Sequence, residues 1–218
     1  MPAKYKIKNF EQNGAYHIFN RGVEKRDIFL DDKDYKVFLY ILKMYLLKKE
    51  DAEKGSNPFL EGSTLQKGRF YGEVELLCFC LMPNHFHLLV RQTGDEGLSE
   101  FMRGLLTNYV MYFNKRHDRV GSLFQGTYKA APVLADEYLL HVSRYIHLNP
   151  KDLDLKASSY DYSSLHDYLG KRKTNWLNTD FILEMLSHNE NKAYRNYFDF
   201  MASDKVDIKM IIGDISID

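Results

Sequence analysis

The stretch Met82-Pro83-Asn84-His85-Phe86-His87-Leu88-Leu89-Val90 decides how the rest of the chain is read. A strand turns successive side chains to opposite faces, so His85 and His87 share one face while Phe86 and Leu88 take the other. Two imidazoles on one rigid backbone, with an apolar run burying the opposite side, supply half of a divalent-metal site. The other half is expected from Arg144-Tyr145-Ile146-His147-Leu148-Asn149-Pro150. There Tyr145 and Asn149 stand four residues apart on the last turn of a helix, and Pro150 forbids its continuation. A histidine pair at strand spacing also occurs in ordinary half-buried sheets, so the combination with the tyrosine helix carries the weight.

Working outward, Val74–Leu81 is a nearly continuous apolar run that predicts a buried strand, joined through a Pro83-Asn84 turn to a second strand over Phe86–Val90. Upstream, Ala15–Asn20 is aromatic and β-prone and stops at Arg21-Gly22, which predicts a first strand and a turn. His17 lies within that strand and carries no assignment. Asp31 or Asp32 can cap a helix running to about Leu47, because Tyr35, Phe38, Leu39, Leu42 and Leu46 recur at helical spacing. The charged and then Gly/Ser-rich residues from Asp51 to Arg69 suit an exposed connection.

Downstream, Leu98 opens a long helix with Phe101, Leu105, Tyr109, Tyr112 and Phe113 on one side, ended by Gly121. Leu123–Val133 reads as a bent strand with Gly126 at the bend, and Asp136 as the N-cap of a helix over Glu137–Leu148. The order strand, helix, two strands, helix, strand, helix is α+β. It fits a ferredoxin-like antiparallel sheet with helices on one face and one helix added. Residues 156–218 are expected to form a small helical extension, with helical stretches at Phe181–Leu186 and Ala193–Phe200, beside a main domain over 1–155.

A 218-residue chain that is 44% hydrophobic can bury a real core, which excludes disorder as the default. Thirty basic residues cancel thirty acidic ones, so any nucleic-acid surface must come from local segregation of charge. Cys78 and Cys80 share a face of an extended backbone that disfavours a bridge, and are read as reduced core residues. With no stretch approaching a membrane span, a cytoplasmic protein without a membrane partner is expected.

Together these segments resemble the single-tyrosine HUH transposases, and within them the REP-associated tyrosine transposases. The matching residues are Phe19-Asn20-Arg21-Gly22, Met82–Val90, Gly121-Ser122-Leu123-Phe124-Gln125-Gly126 and Tyr145–Pro150. The likeness extends from about Tyr16 to Pro150, with a looser echo over Ser158–Trp176. It implies the HUH nuclease fold, with residues 1–155 as the catalytic domain. It also implies Mg2+ or Mn2+ held by His85, His87 and Asn149, with Tyr145 as nucleophile.

The implied reaction is metal-dependent cleavage of single-stranded DNA through a 5′-phosphotyrosine, followed by strand transfer, on DNA carrying hairpins or palindromic repeats. A phenol suits this chemistry, because a nucleophile that stays attached to one product conserves the phosphodiester energy. Arg21, in the resemblance's Asn-Arg-Gly segment, and Lys25 and Arg26 shortly after it are candidate DNA contacts. Arg103, Lys115, Arg116 and Lys129, near the aromatics Tyr109, Tyr112 and Phe124, are further candidates for tracking phosphates. His141, one turn before Tyr145, is a candidate to orient the phenol, whereas His147 lies off that face.

The self-mobile insertion-sequence relatives generally use Gln where this chain has Asn149, which leaves independent mobility open. Monomer and homodimer are both allowed. Two other classes fit the same residues: a metal-dependent hydrolase using the histidine pair, and a non-catalytic DNA-hairpin-binding module.

Overall fold

The computed structural model describes residues 9–54, 65–153 and 155–203. Its elements are β1 (Ala15–Arg21), α1 (Asp32–Leu46), α2 (Lys49–Glu53), β2 (Val74–Met82), β3 (His85–Gln92), α3 (Leu98–Arg116), β4 (Lys129–Val133), α4 (Asp136–Leu148), α5 (Leu165–Tyr168), α6 (Asp180–Leu183) and α7 (Glu190–Ala202). Among the described residues the strands form one antiparallel sheet in the order β2-β3-β1-β4. Each crossover helix therefore skips one strand, α1 passing over β3 and α3 over β1, which is the ferredoxin-like arrangement.

Side-chain alternation divides the sheet cleanly. Tyr16 and Ile18 of β1 and Phe86, Leu88 and Val90 of β3 enter the core shared with α1 and α3. Ala15, Phe19, Leu89 and Ala131 enter a second core on the opposite face, beneath Leu139, Val142 and Ile146 of α4. The β2 run changes phase midway. Val74 and Leu76 pack on the α1/α3 side, a register shift follows between Leu76 and Cys78, and Phe79 and Leu81 then return to that side. The extra residue of this β-bulge, Leu77, lets Cys78, Cys80 and Met82 all reach the second face. Both cysteines are buried and neither is in a disulfide, as expected.

The helices of the ferredoxin-like core, α1 and α3, cover one face. Residues 156–203 cover the other together with α4, contributing Ala157, Tyr160, Leu165, Tyr168, Ile182, Leu183, Ala193 and Tyr197 to the same core as β1, β2 and β3. They also continue the sheet beyond β2. Leu81 N–H donates to Tyr162 O at 2.9 Å, Ser164 N–H donates to Phe79 O at 3.0 Å, and Tyr160 and Tyr168 hydroxyls donate to Leu81 O and Leu77 O.

Some local expectations shift. Asp31 caps α1 by accepting from Lys33 and Asp34 N–H, but α4 begins at Asp136 with Ala135 as N-cap and no side-chain cap bond. The expected bent strand over Leu123–Val133 shortens to Lys129–Val133. Residues 123–126 instead pair with the turn after β1, because Gly126 has φ +88° and turns the chain there. The connection after α1 opens with the short helix α2, and its residues 55–64 lie outside those described, as do the tail residues 206–218. No described helix is long and apolar enough to cross a membrane.

Three loops close together at the end of the sheet where β1 finishes and β3 begins. Gly22 N–H donates to Asn84 O at 2.9 Å, Ile28 and Phe29 N–H both donate to Pro83 O, and Val23 N–H donates to Leu123 O. Gly22 is required by close approach: a Cβ there would sit 2.1 Å from Arg26 O and 3.0 Å from Ile28 Cγ2. Gly22→Ala is expected to cost about 1–3 kcal/mol, seen as a melting temperature lower by several degrees. An unchanged melting temperature would show that this loop is not held as described.

Candidate functional site

The site forms on the face under α4. Arg21 pairs with His85 and Phe19 with His87 across β1 and β3, while Phe19 pairs with Lys129 across β1 and β4. Paired residues share a face, so Arg21, His85, His87 and Lys129 all belong to this one. α4 brings in Tyr145, whose ring stands edge-on to His87 at 5.6 Å and to His17 at 5.8 Å between centroids. Asn149 caps the C-terminus of the same helix, and its Oδ1 lies 3.4 Å from His85 Nε2.

Acceptor-only partners fix how the polar atoms are oriented. Asn149 Nδ2 donates to Tyr145 O at 2.9 Å, and since a carbonyl can only accept, the atom turned toward His85 must be the carboxamide oxygen. Likewise Asn84 Nδ2 donates to Lys25 O, which leaves Asn84 Oδ1 to accept the Nδ1 proton of His85 at 2.6 Å. Neutral His85 then carries a lone pair on Nε2. Two lone pairs, His85 Nε2 and Asn149 Oδ1, thus face each other and call for positive charge between them, either an added proton or a metal cation.

His87 adds a third donor. It is fully buried, its Nδ1 is 2.8 Å from His17 Nε2, and its Nε2 is buried with no hydrogen-bond partner among the described residues. Burial holds its pKa well below the ordinary imidazole value, since a charge there would also be repelled by any charge on the neighbouring His85 or His17, and a side-chain contact with Asn149 works the other way. Buried His17 is held neutral in the same way, its pKa lowered to about 3. An orphaned imidazole nitrogen, a second imidazole nitrogen and a carboxamide oxygen fit a divalent ion with positions left for water or phosphate oxygen.

The basic candidates separate by position. Arg21 and Lys129 lie on the site face, with Lys129 Nζ 5.5 Å from the Phe19 ring centroid and Arg21 Nε buried without a hydrogen-bond partner among the described residues. Lys25 and Arg26 sit in the adjoining loop, where Arg26 pairs with Glu24 at 3.2 Å. Lys115 is exposed near the C-terminal end of α3, which the Arg116–Asp31 bond brings to this end of the sheet. Arg116 itself is consumed by structure: its NH1 donates to Asp34 at 2.6 Å and to Asp31 at 2.7 Å, tying α3 to the start of α1. Arg103 lies on the other layer, one turn from Glu100 and beside the cleft lined by Arg69 and Phe70 near the start of β2, away from the histidines.

His141 packs its ring 5.4 Å from Phe200 of α7. His147 is a buried brace. Its Nδ1 meets Tyr197 Oη at 2.7 Å and its Nε2 meets Ser164 Oγ at 2.8 Å. Arg144 donates to Phe200 O and Ser203 Oγ, so both flanks of Tyr145 are anchored in the C-terminal residues. Sequence reading missed His17, Asn84 and this brace. The Asn84-His85 adjacency was the one available signal, since an Asx side chain before a ligand can orient it.

Among curated proteins, none matches the chain in sequence. Solved structures similar to this chain include the following three. One is a REP-associated tyrosine transposase bound to a REP hairpin, at 13% identity and TM-score 0.52, covering 77% of this chain and 86% of that one. Another is a candidate transposase from Deinococcus radiodurans, at 15% identity and TM-score 0.37, covering 66% and 95%. The third is a bacterial tRNA(His) guanylyltransferase-like protein in complex with ATP, at 12% identity and TM-score 0.37, covering 86% and 75%. At these identities the first likeness is one of fold, and the other two carry no argument. The family model for IS200-like transposases matches residues 65–149. That match runs through β2, β3, α3, β4 and α4, taking in the histidine pair, Tyr145 and Asn149, and makes this part of the chain similar to the IS200-like transposases.

Proposed function

We propose that this chain is a transposase that cuts and rejoins single-stranded DNA through Tyr145, with Mg2+ or Mn2+ held by His85, His87 and Asn149. The observation that carries the reading is the pair of facing lone pairs, His85 Nε2 on β3 and Asn149 Oδ1 on the helix end that also bears Tyr145. When bound, the ion polarises the scissile phosphate and offsets its charge. Tyr145 Oη gives up its proton and bonds to phosphorus as the P–O3′ bond breaks, and the departing oxygen takes up one proton in exchange, becoming a free 3′-hydroxyl. Attack by another 3′-hydroxyl reverses the step and joins the strands. No water enters the reaction, so the phosphodiester energy is conserved.

Asn149 couples the two halves of the site. Its Nδ2 grips the backbone carbonyl of Tyr145 while its Oδ1 faces His85, so nucleophile and ligands are held by one side chain. Arg21 and Lys129, on the same face, are placed to neutralise neighbouring phosphates, and Lys25 and Arg26 extend that charge along the loop. Residues 1–155 hold every reacting group in this reading, and the C-terminal residues serve as its cover. A hairpin or palindromic repeat as substrate is supported by the sequence resemblance and by the fold shared with a transposase solved on a REP hairpin.

The test is a covalent-adduct assay. Labelled single-stranded DNA carrying a palindromic repeat should give a denaturant-resistant protein–DNA band with Mn2+, and EDTA should reduce it by at least about 10²-fold. An adduct of equal yield in EDTA would refute the metal role. Strand cleavage without any adduct would favour a hydrolase.

A further inference from the structure

The donor set leaves one question of proton placement, and the answer lies on β1, outside residues 65–149 of the family match. His17 and His87 are both fully buried, their rings nearly parallel at 13° with centroids 5.1 Å apart, and Phe19 packs against both. The 2.8 Å contact between His17 Nε2 and His87 Nδ1 holds one proton. If His17 donates it, the remaining proton of His87 sits on Nε2 and blocks coordination there. If His87 donates it, His87 Nε2 becomes a lone pair aimed into the site, and the proton of His17 moves to its own Nδ1. That atom is likewise buried with no hydrogen-bond partner among the described residues.

Resting on the metal reading above, we propose that His17 is a positioning residue for the metal site: its Nε2 accepts the Nδ1 proton of His87 and so presents His87 Nε2 as the coordinating lone pair. The partner of a metal-bound imidazole sets ring orientation and tautomer, and its loss typically weakens metal affinity about 10–100-fold. His85 has the equivalent partner in Asn84 Oδ1, so each ligand imidazole is held from behind by a different element. Asn84 comes from the turn before β3 and His17 from the middle of β1.

Mn2+ affinity, read by electron paramagnetic resonance of the free ion, tests this on the full chain. His17→Phe keeps the ring packed on Phe19 but removes the acceptor, and should weaken Mn2+ binding about 10–100-fold. His17→Gln, whose Oε1 can accept, should recover most of that loss. Nitrogen-15 NMR of the wild type with saturating Mg2+ should show His87 protonated on Nδ1 and not on Nε2, and this readout stands even where a variant fails to fold.

Equal Mn2+ affinity in the wild type and His17→Phe, or a proton on His87 Nε2 with Mg2+ bound, overturns the proposal while the metal site stands. Absence of Mn2+ binding by the wild type sinks the metal reading itself, and the proposal with it.

Discussion

Tyr145→Phe is expected to lower the covalent protein–DNA adduct by at least ~10³-fold while DNA affinity stays within about twofold of wild type. The change removes one oxygen and leaves the ring. The edge-on contacts to His17 and His87 are made by the ring, and the grip of Asn149 falls on the backbone carbonyl of residue 145, which the substitution does not touch. Tyr145 is half-buried, so the core beneath α4 keeps its packing. Denaturing gels of labelled DNA measure the adduct and fluorescence anisotropy the binding. A persistent adduct would mean that another of the 16 tyrosines is the nucleophile. Loss of the adduct with cleavage retained would point to water as attacker at the histidine pair.

Stability should fall steeply as the pH drops from about 7 to 5. His17 and His147 are fully buried with pKa values lowered to about 3 against an ordinary 6.5, chiefly by desolvation. Below 6.5 the unfolded chain binds a proton at each that the folded chain refuses. Their contribution is therefore complete above 6.5 and is lost as the pH falls toward 3. At pH 5 each costs about 2 kcal/mol, about 4 together, against the 5–15 kcal/mol that typically holds a domain folded.

His87 shifts in the same direction and adds to the loss. Carboxylates do not confuse the window: the depressed pKa of Asp31, beside Arg116, costs stability only once the pH falls below about 4. Urea unfolding in EDTA at pH 7.5 and pH 5 measures the effect. A flat profile would mean that these imidazoles are not buried neutral groups. In His147→Gln the slope should fall by about one proton while some stability is lost at pH 7.5, because Gln cannot reach both Tyr197 and Ser164 as the ring does.

The legible parts of this chain were those whose signal is local. Two histidines at strand spacing, and a tyrosine four residues before an asparagine at a proline-stopped helix end, declare their own geometry. Capping by Asp31 and the strand–helix order followed from the same short-range rules. What escaped depends on register. Whether His17 meets His87 is decided by β1 and β3 pairing Phe19 with His87 and not a neighbour, which no stretch of either strand encodes alone.

The bulge at Leu77 was hidden because an unbroken apolar run has no alternation to interrupt. Charge was similarly opaque. Arg21 and Arg116 are the same residue type, but one projects on the site face and the other is spent on Asp31 and Asp34, since helix α3 ends where α1 begins. The helical extension was expected as an addition. It proves to share its apolar contacts with the sheet, because a histidine-bearing face lined by Cys78, Cys80, Met82 and Leu89 needs cover that α4 alone does not give.

The pairing of residues 162–164 with the outer side of β2 bears on how copies of this chain could assemble. Backbone donors and acceptors that an outermost strand would offer to another molecule are already taken there by Tyr162 and Ser164. At the opposite margin, β4 carries Pro132, which has no amide hydrogen to give. A dimer built by merging two sheets through β2 would first have to peel away the same residues that brace the helix bearing Tyr145, so self-association by that route would be coupled to release of that tyrosine.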